Sequence, residues 1–286
     1  MNHTPLIQAR ELLALMNGAG PRPAIFDCSF DLANPAAGRT QHDAGHVPGA
    51  LYLHLDDDLS APKTGRNGRH PLPAREAFAE RLAARGVNDD SAVVLYDSSG
   101  GMYAARAWWM LRWAGHAQVA VLDGGLAAWK AIGGPLLDTP TPAPARSGFT
   151  LRPPQVPWVD RDALLRNLQT KQWLVIDARA PDRFRGENET LDAVGGHIPG
   201  ARNRLFRDNL GPDGRFKPAD QLRADFQAVA AGRPPAEWVN SCGSGVTAAH
   251  NLLAQEVAGL AGGALYPGSW SEWSSWPDSP IATGSE

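Results

Sequence analysis

The residues of this chain best suited to chemistry are those of CGSGVTA, Cys242 to Ala248. A thiolate is a strong nucleophile, and the residues that follow Cys242 begin with two glycines and a serine that leave it unscreened. A small-residue loop between a strand and a helix turns several main-chain N–H groups toward one point, where the positive end of the helix dipole also acts. An anion held there would be the Cys242 thiolate or a sulfur bound to it. The spacing therefore predicts a depressed thiol pKa and nucleophilic sulfur chemistry. The N–H groups of Gly243, Ser244, Gly245, Val246 and Thr247 form the candidate nest. A cysteine without such neighbours is more often a small packed residue. Cys28 directly follows a strand-like run and is expected to pack.

Two elements must position that loop. Trp238–Asn240, extended by Ser241, reads as the strand that delivers Cys242, and Val246–Val257 as the helix that leaves it. Further strands are expected at Ala24–Asp27, Ala92–Tyr96, Val119–Leu122, Leu174–Asp177 and Ala264–Tyr266. Helices are expected near Arg75–Arg85, Met102–Ala114, Leu126–Ala131, Asp160–Gln169, Ala219–Ala231 and Ser269–Trp273, with a short amphipathic one at the N-terminus. Strands alternating with helices imply an α/β fold of mainly parallel sheets flanked by helices, with ligands beyond the carboxyl ends of the strands. Trp108, Trp109 and Trp113 fall at helical spacing and read as core. Trp129 and Trp273 read as packing residues of their respective halves.

The pattern occurs twice. AIFD followed by GHVPGA (Gly45–Ala50) parallels WLVID followed by GHIPGA (Gly196–Ala201). AVVLYDSSGGMYAARAWWML parallels AEWVNSCGSGVTAAHNLL, and VAVLDGGLAAW parallels GALYPGSWSEW. Duplication of a domain of about 130–140 residues accounts for the shared order. The expected division is a first domain over 1–134, a proline-rich linker over 135–157 whose prolines favour an extended connection, and a catalytic domain over 158–286. Where the second copy has Cys242, the first has Asp97 or Ser98, neither of which can hold a persulfide.

Composition narrows the function classes. A chain of 286 residues with 43% hydrophobic and 20% charged residues is that of a globular protein. A net charge of −3 offers no basic field for nucleic acid or an anionic membrane. No apolar run is long enough to cross a bilayer and the N-terminus lacks a secretory pattern, so a cytoplasmic protein is expected. Two cysteines without zinc-site spacing argue against a disulfide framework or a metal, and no strand-linked GxGxxG suggests a nucleotide; no cofactor is expected.

Taken together, the duplicated D…GHxPGA pattern, the strand–cysteine loop–helix unit and the terminal GSWSEW resemble the tandem rhodanese-type sulfurtransferases over essentially the whole chain. Within that family CGSGVT is similar to the loop of the 3-mercaptopyruvate sulfurtransferases, whereas thiosulfate-using members usually carry cations just after the cysteine. The resemblance implies two rhodanese-like domains with the site facing a cleft between them. It also implies double displacement: Cys242 takes sulfur from a small-molecule donor, becomes a persulfide, and passes it to a thiol acceptor such as thioredoxin, or to cyanide. It places Ser244 in a Ser-His-Asp set, with His70 of RHPLP and Asp56 of LHLDDD supplied from the first domain. Ser244 would donate to the donor's carbonyl as an enolate-like pyruvate leaves. The substrate-binding arginine falls at Arg183 in RFRG. The second arginine common in mercaptopyruvate enzymes is replaced by Asp192 in TLDAVGG, which leaves Arg185 as the substitute cation. Arg179 and Arg185 otherwise read as solvated surface residues.

The leading expectation is thus transfer from 3-mercaptopyruvate, with thiosulfate as the alternative donor and a non-catalytic rhodanese-like binding module as a third reading. Phosphate ester hydrolysis on a related fold would require an arginine six residues after the cysteine, where this chain has Ala248.

Overall fold

The computed structural model describes residues 4–285. By internal contacts the chain divides into two units. The first comprises residues 1–60, 73–155 and 212–215, and the second 61–72, 156–211 and 216–286. The division differs from a simple cut in the proline-rich stretch. Residues 61–72 lie in the first repeat by sequence yet belong to the second unit, and 212–215 do the converse.

In the first unit the order is β1 (Leu6–Ile7), α1 (Ala9–Asn17), β2 (Ala24–Asp27), α2 (Ala37–Ala44), β3 (Ala50–Tyr52), α3 (Arg75–Ala84), β4 (Val93–Tyr96), α4 (Met102–Trp113), β5 (Val119–Leu122) and α5 (Gly125–Ala131). The strands form a sheet in the order β1-β5-β4-β2-β3, with every pair parallel. Such a sheet needs strands that are apolar on both faces. The fully buried VVLY of β4 and VAVL of β5 satisfy that need. The three tryptophans of α4 are core, as their spacing predicts. The proline-rich stretch has no regular structure and is tied down along its length. Ser147 N–H bonds Ala83 O at 2.9 Å, and Gln155 N–H bonds Arg112 O at 3.1 Å.

The second unit contains α6 (Arg161–Thr170), β6 (Leu174–Asp177), α7 (Pro181–Arg185), β7 (Arg202–Asn203), α8 (Ala219–Ala230), β8 (Trp238–Ser241), α9 (Thr247–Val257), β9 (Ala264–Leu265) and α10 (Ser269–Trp273). Short 3₁₀ turns lie at Phe206–Asn209 and Pro235–Glu237. Its parallel sheet has the order β7-β6-β8-β9. A fifth strand is reduced to one bridge between Trp158 and Leu265. Local chemistry sets the helix ends here. The Asp160 carboxylate caps α6 by accepting from Ala163 N–H at 2.8 Å, and Pro181 opens α7 where its missing N–H costs nothing.

The two units repeat each other in detail. Trp129 Nε1 donates to Pro135 O and Trp273 Nε1 to Pro280 O, both at 2.8 Å. The sheet registers settle the alignment of the loops. Asp27 pairs with Tyr96 and Asp177 with Ser241, so Asp97, not Ser98, corresponds to Cys242. The Asp97 carboxylate is buried and accepts four main-chain N–H groups, from Ser99, Gly101, Tyr103 and Ala104, at 2.7–2.9 Å. Burial pushes this carboxyl above its ordinary value, against the pull of those four donors. The first loop is therefore filled by a carboxyl group of its own. Asp97→Asn should turn a donor toward two of these N–H groups and cost on the order of 2 kcal/mol. A fall in the denaturant midpoint of the earliest unfolding transition would register that loss, and an unchanged midpoint would refute it.

Candidate active site

Cys242 follows directly on β8, at the carboxyl end of the second unit's sheet, and is only 1% exposed. The loop after it turns back sharply. Gly245 has φ of +77°, and a Cβ there would stand 2.3 Å from Pro267 O, so only glycine fits. That turn aims the N–H groups of Ser244 and Gly245 at Sγ, at 3.4 and 3.1 Å. Two of the five N–H groups expected to form the nest are thus aimed at the sulfur. Val246 caps α9 and Thr247 opens it, while Gly243 uses its carbonyl to accept from Ser271 N–H at 2.9 Å.

Sequence reasoning missed Ser269. Its Oγ accepts the Cys242 N–H at 3.1 Å and lies 3.9 Å from Sγ. Ser269 has φ of +54°, the same value as Gly125 in the first unit. A side chain in that conformation costs roughly 1–2 kcal/mol. The signal was present in the aligned repeats, where DGGL faces PGSW: a serine stands where the other copy keeps a glycine.

Residues 61–72 form a strap within the second unit. Gly68 (φ +83°) lets it pass close by, since a Cβ there would sit 2.8 Å from Gly268 O. The Arg69 N–H donates to Ser271 Oγ at 2.9 Å, and Trp276 Nε1 donates to Arg66 O at 3.1 Å. The strap brings buried His70 to Ser244, with Nδ1 2.7 Å from Oγ. The expected Ser–His pair is present, although its histidine belongs to the second unit and not to the first. Asp56 lies in the turn after β3, in the first unit, outside the group of side chains that the second unit brings together.

The arginines correct two expectations. Arg179 is not a solvated surface cation: it is 3% exposed, donates to both Asp177 carboxylate oxygens at 2.7–3.1 Å, and stacks 4.7 Å over Trp270. Burial disfavours its charge, but Asp177 and Glu189 outweigh burial and hold its pKa above the ordinary value. Arg185 does not replace a missing cation at the loop. Residues two apart on a helix point to different faces, and Arg185 pairs with exposed Glu187 on the other side of α7 from Arg183. Arg183 does reach the loop: its Nη1 and Nη2 lie 3.7 Å from where a Gly243 Cβ would be. It is held from behind by Glu189, through contacts of 2.8–3.2 Å. Burial would raise the Glu189 carboxyl, but Arg183 and nearby N–H groups keep it below its usual value. Asp192 lies beside them, 3.4 Å from Arg183 Nη2, and its carboxyl is pushed up by burial and, further, by Glu189.

Cys28 packs in the first unit. Burial raises its thiol well above the ordinary value, and Asp27, Asp97 and Asp58 add to the effect. Both cysteines are buried, so surroundings and not exposure distinguish them: carboxylates around one sulfur, N–H donors around the other. A recess of about 940 Å³ in the first unit opens near the amino ends of β2 and β4, away from the loop ends of its sheet. Among the described residues no helix is long and apolar enough to cross a membrane.

Comparison with known proteins points the same way. A family model described as Rhodanese-like domain matches residues 8–132 and again 160–275. A Pseudomonas aeruginosa protein named "Probable 3-mercaptopyruvate sulfurtransferase" is 47% identical over 99% of this chain and 100% of its own length. The thiosulfate sulfurtransferase of Cricetulus griseus is 36% identical over 89% of this chain and 86% of its own. Among solved structures, the 3-mercaptopyruvate sulfurtransferase from Leishmania major superposes with a TM-score of 0.85 at 30% identity, covering 98% of this chain and 77% of that one.

Two outcomes follow from the site's construction. Mild alkylation of the native protein at neutral pH should label Cys242 before Cys28, as read by peptide mapping; labelling in the reverse order would contradict the environments described. Gly245→Ala should abolish sulfur loading by moving the N–H donors, with the far-ultraviolet spectrum retained. Loading at the parent rate would show that the turn is dispensable.

Proposed function

The chain belongs to the two-domain rhodanese-like sulfurtransferases, and from that premise we propose that it moves sulfane sulfur from 3-mercaptopyruvate, through a Cys242 persulfide, to a thiol or cyanide. The observation that carries the choice of donor is the contact between His70 Nδ1 and Ser244 Oγ, two residues from the nucleophile. Thiosulfate would leave as sulfite and asks for no proton donor. A mercaptopyruvate carbon asks for one, because it leaves as an enolate. With Nδ1 protonated, His70 donates to Ser244, and the serine hydroxyl is free to donate to the donor's carbonyl oxygen.

In the first step Cys242 Sγ attacks the donor sulfur. An S–S bond forms, the carbon–sulfur bond breaks, and its electron pair passes to the carbon as the enolate. The donor's thiol proton ends on that carbon, so pyruvate departs and Cys242 is left as the persulfide anion. In the second step an acceptor thiolate or cyanide attacks the outer sulfur and Cys242 leaves as thiolate, which restores the enzyme. The loop N–H groups hold negative charge on sulfur in both steps.

Thiosulfate stays the second reading, because Arg183 beside Gly243 provides a cation suited to a sulfonate and relatives of both names match along most of the chain. Steady-state assays with each donor, with intact mass to detect one added sulfur on Cys242, decide between them. Ser244→Ala should lower kcat with 3-mercaptopyruvate about 10²-fold and leave thiosulfate turnover much less affected. Equal losses with both donors would remove the basis for preferring mercaptopyruvate. No persulfide from either donor would end the sulfur-transfer reading for Cys242.

A further inference from the structure

Ser271, on α10, connects the two partners of the Ser244–His70 pair through their neighbours in the chain. Its N–H donates to Gly243 O at 2.9 Å, and Gly243 is the residue before Ser244. Its Oγ accepts the Arg69 N–H at 2.9 Å, and Arg69 is the residue before His70. The Ser271 hydroxyl proton goes to Gly268 O at 3.3 Å, which leaves an oxygen lone pair for Arg69. His70 Nδ1, 2.7 Å from Ser244 Oγ, closes the ring. Three hydrogen bonds thus join the cysteine loop, the strap and α10. Gly68 permits the close approach, since a Cβ there would stand 3.3 Å from Ser271 Oγ as well as 2.8 Å from Gly268 O. The strap is also tied by the Arg69 guanidinium to Asp192, and by Arg66 to Trp276. The first of these acts through a long side chain and the second four residues from His70, whereas Ser271 holds main chain next to it. The first unit supplies the contrast. Leu126 N–H donates to Asp97 O at 3.0 Å as Trp270 N–H does to Cys242 O at 2.9 Å, so Ala127 is the counterpart of Ser271. The copy without a nucleophile keeps the main-chain link and lacks the hydroxyl.

We propose that Ser271 is the positioning residue that keeps His70 in register with Ser244. The inference rests on the reading of Ser244 as the hydroxyl that donates to the departing enolate, and adds to it the residue that holds its histidine in place. His70 arrives on a strap of irregular backbone, and a catalytic contact that depends on such a segment is lost to small displacements. Ser271 removes that freedom because one residue fixes both sides: its N–H sets the height of the cysteine loop and its Oγ sets the height of the strap.

Ser271→Ala removes the acceptor for Arg69 and keeps the main-chain N–H for Gly243, so it separates the two links. With 3-mercaptopyruvate, kcat should fall about three- to tenfold, the worth of one neutral hydrogen bond, while KM changes little. An unchanged kcat, or a loss carried by KM, would overturn the proposal. A double-mutant cycle asks whether the effect passes through the histidine. Added to His70→Gln, Ser271→Ala should cost nothing further; the same loss again would show that Ser271 acts on the loop or the fold and not on His70. A further measurement does not depend on turnover. In protein carrying isotope-labelled histidine, the His70 Nδ1 proton held by Ser244 should give a protected ring N–H resonance, assigned by its absence from His70→Gln. That resonance should broaden or vanish in Ser271→Ala. A resonance that persists unchanged in the variant, or a parent protein that shows none, refutes the assignment. If Ser244→Ala costs turnover of both donors equally, the mercaptopyruvate reading falls alone, because the resonance still decides the role of Ser271.

Discussion

The site depends on one turn of main chain. β8 ends at Ser241, and over the five residues 242–246 the chain reverses from strand to the first turn of α9, a reversal possible only because Gly245 can lie against Pro267 O with positive φ. The product of that reversal is a pair of N–H groups 3.1 and 3.4 Å from one sulfur. Main-chain donors fixed by a sheet and a helix do not reorganise when charge moves, which is why they suit a sulfur that alternates between thiolate and persulfide. Side chains are then added around a rigid centre: Ser269 behind the cysteine, Ser244 and His70 beside it, and Arg69 and Arg183 at Gly243.

The charges near this centre are arranged in opposed pairs. Arg179 faces Asp177, Arg183 faces Glu189, and Asp192 bridges Arg183 and Arg69. Buried arginines left unpaired would be costly, and removing one partner of such a pair leaves the other charge exposed to that cost. Carboxylates on the far edges of Arg69 and Arg183 therefore permit two cations to stand close together near a nucleophile. The geometry keeps nitrogens of both arginines turned toward Gly243.

Much of this organisation was legible in the sequence, and the exceptions share a cause. Ala24–Asp27, Val119–Leu122 and Leu174–Asp177 match their strands residue for residue, because short apolar runs before acidic or small residues carry their own signal. β1 and β7 are two residues each, too short for any pattern to show. Local motifs mark Cys242, Ser244 and Arg183 as candidates. Arg69 could not, because its partners Asp192 and Ser271 are distant in sequence and a surface loop is the ordinary reading of GRNGRHP. Arg179 was misjudged for a related reason. Sequence records that a residue is charged, but here the aspartate at the end of β6 and the face of Trp270 receive it into the interior. The motif around His70 is visible in the sequence, but the grouping of residues 61–72 with the second unit leaves no mark in composition.

The two copies show what it takes to lose a nucleophile without losing a fold. Deleting the cysteine and leaving nothing in its place would strand several buried N–H groups, each unmet donor costing about 1–3 kcal/mol. In the first unit Asp97 meets four of them with two carboxylate oxygens, at distances no longer than 2.9 Å. The second loop accepts a poorer arrangement, with two longer contacts to sulfur and a serine held at positive φ where the first loop has glycine. Stability and reactivity are thus divided between repeats of one design. The first nest is occupied by a carboxyl group of its own, whereas the second is built around a sulfur.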